Sequence, residues 1–160
     1  YFLHHLSGVE QVGFAGAGRT AAHIHTGNGS LPAKDNRTAG KRFFILGVPH
    51  FDALAATLGA KAEFTDTVLQ TGPSWTRSEI EIALVGERAS ADLGGVFVAR
   101  GNQMSDIHTL LSHQAPGVIS RQNYRGLAAD DARGVFHGQI RVEALARGAD
   151  AVQNNRNMLL

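Results

Sequence analysis

From Gly94 to Thr109 (GGVFVARGNQMSDIHT), and again from Ser120 to Val142 (SRQNYRGLAADDARGVFHGQIRV), the chain has no good helical period in its apolar residues. A helix that packs on a core needs apolar side chains every three to four positions. This part of the chain is therefore restricted to strands and turns. The cleanest strand pattern lies upstream, in Ser78 to Val85, where Ile80, Ile82 and Leu84 alternate with Glu79 and Glu81. Such alternation buries one face and leaves the other in water. Phe136, Ile140 and Val142 repeat it, with Gly138 in the inward place between them. Apolar stretches centred near Ile45, Val68, Ile82, Phe97, Ile107, Ile119 and Ile140 are separated by turn residues, at intervals a little longer than the ~8–12 residues of an ordinary sandwich. Strands this regular can coil on themselves and stack their inward residues rung on rung. The expected fold is all-β, a parallel β-helix or solenoid, with Ile80, Ile82, Leu84, Phe136, Ile140 and Val142 directed inward. One segment pulls the other way. Phe51, Leu54, Ala55 and Leu58 fall at helical spacing, with Asp52 placed to cap and Gly59 to stop a helix. Propensity yields to tertiary pairing often enough that a strand is expected there too.

With 160 residues the chain suits one domain and can bury roughly two-thirds of its unfolded surface. Residues 1–42 form a glycine-punctuated region of their own, in which Thr26 to Lys41, with Gly27, Gly29, Pro32 and Gly40, reads as loop. Residues 43–160 form the strand core. Because Tyr1 is not a start methionine and Leu160 closes an apolar run, the segment is expected to be an excerpt of a longer protein, its solenoid incomplete at one or both ends. Fifteen Lys and Arg against 14 Asp and Glu give a net charge of +1, which sets up no field for nucleic acid or anionic lipid. No apolar run approaches the ~20 residues of a membrane span, and YFLHHLSGVEQ lacks the flank and cleavage pattern of a secretory signal. A cytoplasmic protein with no nucleic-acid or membrane partner is expected.

The chain contains no cysteine, so by itself it offers no thiolate to an iron–sulfur cluster, a structural zinc or a covalent intermediate. Gly13 to Thr20 (GFAGAGRT) has the spacing of a phosphate-binding loop, with Arg19 where that chemistry needs lysine. A small phosphate- or nucleotide-binding enzyme using Gly13 to Thr20 as a degenerate P-loop is the alternative functional reading. The overlapping Gly16-x-Gly18-x-x-Ala21 pattern lacks both a convincing preceding strand and a well-placed acidic residue. His23 and His25 would share a face on a strand, while His108 and His113, five apart with Asp106 nearby, would lie on opposite faces. Metal sites are recognised by converging ligands, and none converge by spacing alone. The chain has no G-x-S-x-G elbow, and Ser120, His137 and Asp130 form no recognisable triad.

Several blocks, in order, resemble the core domain of the SufB/SufD family, most of all its SufD-like members. Arg77-Ser78-Glu79-Ile80 resembles the arginine and acidic residue that open a strand of that family. Asp106, His108, Thr109 and His113 resemble its D-x-x-T…H stretch, and Ser120-Arg121-Gln122 and Gly134-Val135-Phe136-His137-Gly138 its two most recognisable blocks. The resemblance runs from about Phe64 to Leu160, is loose over Phe43 to Glu63 and does not extend to Tyr1–Arg42. Met104 stands where histidine is common. The resemblance implies a right-handed parallel β-helix that acts as a non-catalytic scaffold. It would pair with a SufB-like subunit as a heterodimer and with a SufC-like ATPase to assemble iron–sulfur clusters. No cofactor would be held by this chain alone, and a cluster would be held transiently with the SufB-like partner. The family histidine tied to cluster assembly lies beyond Leu160, so no catalytic, cofactor-binding or metal residue is assigned. His108, His113, Ser120, Arg121, Gln122, Gly134, Phe136 and Gly138 are expected to be structural.

Overall fold

A computed structural model describes residues 9–17, 24–26, 37–44, 49–72 and 74–160, with side chains from residue 49 on except at 50 and 73. Among the described residues there are eleven strands: β1 (Val9–Ala17), β2 (Ile24–Thr26), β3 (Arg37–Phe44), β4 (His50–Leu58), β5 (Glu63–Thr71), β6 (Trp75–Leu84), β7 (Ser90–Ala99), β8 (Met104–His113), β9 (Ile119–Ala128), β10 (Arg133–Val142) and β11 (Asp150–Leu159). No helix occurs among the described residues. From β4 onward the chain alternates between two sheets, ordered β1-β4-β6-β8-β10 and β11-β9-β7-β5-β3-β2. Each strand pairs in parallel with the strand two places on, which makes a β-solenoid of about four turns. The parallel all-β solenoid expected from the sequence is the fold observed. Among the described residues, antiparallel pairing is confined to β1 with β4 and β2 with β3.

One coil advances the register by 26 to 31 residues: His50 lies beside Thr76, Trp75 beside Met104, Met104 beside Arg133, and Ile119 beside Asp150. The corners carry the same step. At one edge Lys61, Arg88, Gly117 and Gly148 all have positive φ (59°, 58°, 66° and 68°). Their amides donate upward in succession, Lys61 to Glu87 O (2.9 Å), Arg88 to Pro116 O (3.1 Å) and Gly117 to Arg147 O (2.9 Å). The opposite edge repeats the device with Gly72, Gly101 and Asp130, where the Gly101 amide donates to Asp130 Oδ2 at 3.1 Å. A left-handed residue at each corner reverses the chain without breaking the stack, and these corners fix the register of everything between them.

The core lies between the two sheets. Leu54, Leu58, Phe64, Val68, Ile80, Ile82, Leu84, Leu93, Phe97, Ile107, Leu111 and Tyr124 are buried there. Phe97 fills space left by two glycines: a Cβ on Gly126 would lie 2.0 Å from its ring, and one on Gly134 2.2 Å. The segment with helical spacing is strand β4, as expected. Its buried residues Asp52, Leu54, Ala56 and Leu58 follow a period of two that apolar Ala53 and Ala55 conceal in the sequence.

All six residues expected to point inward do so, but to different depths: Ile80, Ile82 and Leu84 are buried, Phe136 and Ile140 are half-buried and Val142 is 56% exposed. The last three share the inward face through their register with Ile107, Leu111 and His113. β10 and β11 form the outermost coil of the structure, so nothing in it covers their far side. The loop expected over Thr26 to Lys41 needs correction at both ends, since Thr26 closes β2 and Arg37 to Phe44 is strand, paired in parallel with β5. Ile45 and residues 27–36 lie outside the described residues.

Candidate functional site

The residues that resembled a family pattern gather at three places along β8, β9 and β10. Inside the solenoid, Thr109 Oγ1 donates to Gln122 Oε1 (2.6 Å), Gln122 Nε2 to Gln153 Oε1 (3.2 Å), and Gln153 Nε2 to the Gly138 carbonyl (3.4 Å). Thr109 and Gly138 are neighbours in register on one sheet and Gln122 and Gln153 on the other, so this chain of bonds ties sheet to sheet and coil to coil. Gly138 permits it, because a Cβ there would meet the Gln153 amide at 2.6 Å. Phe136 stacks against Tyr124, ring centres 4.7 Å apart.

At the other end of the same strands, His113 and Ser120, both wholly buried, share a hydrogen bond of 2.9 Å between Nε2 and Oγ. His113 Nδ1 has no partner, and burial pushes the ring's pKa below the usual imidazole value, so the neutral form is favoured. Arg121 points outward and pairs with Asp150 of the next strand, and this hydrogen bond holds the Asp150 carboxyl below its ordinary range. The opposite faces expected for His108 and His113 are what the structure shows.

A second interior network was missed from the sequence. Gln70 Nε2 donates to Ser78 Oγ (2.6 Å), Ser78 Oγ donates to Asp52 Oδ1, and Ser105 Oγ and Thr76 Oγ1 both donate to Gln70 Oε1. All five side chains are buried. Burying so many polar atoms is tolerable only because they satisfy one another. Beside them is a cavity of about 10 Å³ lined by Gln70, Thr76, Gln103 and Ser105, room for a single water.

The outer face of the β6–β8–β10 sheet carries the third group. Arg77 Nη1 donates to Asp106 Oδ2 (3.1 Å) and Arg77 Nε to Glu79 Oε1 (3.0 Å). His108 Nε2 lies 2.8 Å from Asp106 Oδ1. Although it faces outward, Asp106 is only 4% exposed, because Arg77 and His108 close over it. Glu79, His108 and His137 stand side by side in register, and the two imidazole rings have centres 5.2 Å apart with planes tilted by 33°. The nearness of His108 and His137 was not foreseen, although their separation of 29 residues equals the register step from β8 to β10. Among the described residues no group of three or more His, Cys, Asp and Glu gathers to hold a metal ion.

Gly13 to Ala17, the first part of the P-loop-like motif, is extended in β1 and paired antiparallel with Ala55 to Phe51. A phosphate cradle needs a loop of converging amides, and amides committed to a strand pair do not form one. Gly18 to Thr20 lie outside the described residues, as does His23.

Residues 46–160 match the family described as SUF system FeS cluster assembly, SufBD core domain. Among curated proteins, the chain is similar to an iron–sulfur cluster assembly SufBD family protein of Mycobacterium tuberculosis, 28% identical over 118 residues, which cover 69% of this chain and 30% of the relative. A Synechocystis protein of the same description is 22% identical over 111 residues (69% and 24%), and a chloroplastic one of Arabidopsis thaliana 24% over 102 residues (64% and 18%). The chain thus spans less than a third of the length of these relatives. No solved structure matches it.

Proposed function

We infer the role of this chain from one premise: it belongs to the SufBD family of iron–sulfur cluster assembly proteins of the SUF system, whose core domain matches residues 46–160. The proposed role is that of a SufD-like, non-catalytic scaffold subunit in the cytoplasm. It would pair with a SufB-like subunit while a separate SufC-like ATPase supplies the hydrolysis of ATP. The iron–sulfur cluster is cargo in this reading, held transiently and only together with the partner. Residues 43–160 are the scaffold core in this proposal, preceded by an N-terminal region, residues 1–42, whose strands β1 and β3 pair with β4 and β5 and so extend the same two sheets.

The observation that carries the reading is the donor set. An iron–sulfur cluster is held mainly by cysteine thiolates, and this chain has none. His113, Ser120, Gln122 and Gly138, which lie in family-like blocks, form hydrogen bonds that join coils and sheets. Spending these residues on the stack suits a rigid support whose cluster-binding groups lie outside this segment.

Reconstitution of the full-length protein with ferrous iron and sulfide, with and without a SufB-like partner, tests this through the visible absorption of the cluster. The expected result is stable absorption only with the partner and a co-purifying complex. A stable cluster formed with this segment's protein alone, or no association with the partner, would refute the proposal.

A further inference from the structure

We propose that His108 and His137 together bind one divalent transition-metal ion on the outer face of the β6–β8–β10 sheet, with Asp106 as the residue that orients His108. The two histidines are register neighbours on adjacent parallel strands, and both rings are reachable from solvent: His137 is exposed and the His108 side chain is 32% exposed. Two imidazoles bound to one tetrahedral ion at ~2.0–2.1 Å from each nitrogen would have ring centres ~5 Å apart. The observed separation is 5.2 Å.

The surroundings favour the same assignment. Metal-ligating histidines characteristically donate their second ring N–H to a carboxylate, which fixes the tautomer and strengthens the ligand. His108 has the partner for it: Nε2 lies 2.8 Å from Asp106 Oδ1, a buried oxygen that accepts no hydrogen bond as the ring now stands, so a turn of the imidazole would set the Nε2 hydrogen on it and leave Nδ1 to carry the lone pair. Asp106 is itself anchored by Arg77 at 3.1 Å, so the orienting carboxylate is fixed before any ion arrives. Asp106 and Glu79 against Arg77 leave one excess negative charge beside the pair. Imidazole donors suit zinc, nickel, copper and iron. Two protein ligands leave the remaining positions to water or to a donor brought by another molecule. This inference does not rest on the scaffold reading, and the failure of either leaves the other standing.

The test is titration of the full-length protein with Co²⁺ alone, followed by calorimetry and visible absorption, in the wild type and in His137→Gln and Asp106→Asn. Circular dichroism first establishes that each variant is folded. The expected result is that His137→Gln lacks one equivalent of Co²⁺ that the wild type binds. Asp106→Asn should keep that equivalent with affinity lower by about 10–100-fold, the usual effect of losing an orienting partner. Identical titrations of wild type and His137→Gln would overturn the site and leave the two rings as a simple stacked pair. Unchanged affinity in Asp106→Asn would overturn the orienting role of the carboxylate.

Discussion

The coil made by β8 and β9 and the coil made by β10 and β11 both place large apolar residues at two inward positions of β8 and β10, yet these differ sharply in burial. Leu111 is fully buried, while Ile140, its register neighbour, is half-buried. Ile107 is fully buried while Phe136, its register neighbour, is half-buried. In a solenoid a residue's environment is therefore supplied largely by the neighbouring coils, as expected of a stack in which each repeat touches only the next. Type and direction are local properties, and burial is not.

The largest test of that contrast is truncation at paired positions. Leu111→Ala should cost about 2–5 kcal/mol, the range for a large side chain deleted from a closed core. Ile140→Ala in the same chain should cost less than half as much, since part of that side chain already meets water. Urea unfolding midpoints with slopes compared between variants provide the measurement. Equal losses would mean that the outer coil is as well covered as the inner one.

A smaller effect sharpens the comparison along one inward column, where Leu84, His113 and Val142 follow one another. His113 is the titratable member, and burial depresses its pKa from the usual 6.5. A base whose pKa is lowered on folding binds its proton more readily when unfolded. Its contribution to stability is thus complete above about pH 6.5 and is lost as the pH falls from there through the folded-state value. Stability should decline on acidification below about pH 6.5, and His113→Gln should reduce that slope by up to ~1.4 kcal/mol per pH unit, the limit for one proton. A slope identical in the two proteins would place the acid sensitivity elsewhere.

Residues that obey period two with clear chemistry were legible from sequence: Ile80, Ile82 and Leu84 stand out because Glu79 and Glu81 separate them. The polar interior was not. Gln70, Ser78, Thr109 and Gln122 look solvated one at a time, and become core residues only through partners 8, 13 or 31 positions away. β3 was hidden because Gly40 and Lys41 resemble a loop, and its strand state comes from pairing with β5. The family-like blocks were recognisable as residue types, but the meeting of His108 with His137 depends on the coil step. That step varies between 26 and 31 residues with corner length. The corners themselves repeat a conformation rather than a residue, as Lys61, Arg88, Gly117 and Gly148 show, so no identity in the sequence announces them.

The parallel register can be measured directly in a chain without cysteine. Ala83 and Ser112 are register partners on the outer side of β6 and β8, a placement within the ~4.4–6.8 Å Cα separation that a disulfide requires. The pair Ala83→Cys with Ser112→Cys should form an intramolecular disulfide under mild oxidation, seen as a loss of two thiols by mass spectrometry. Ala83→Cys with Leu111→Cys, one residue out of step and on opposite faces, should remain reduced while the protein is folded. Cross-linking of the second pair in preference to the first would contradict the register and, with it, the solenoid on which the rest depends.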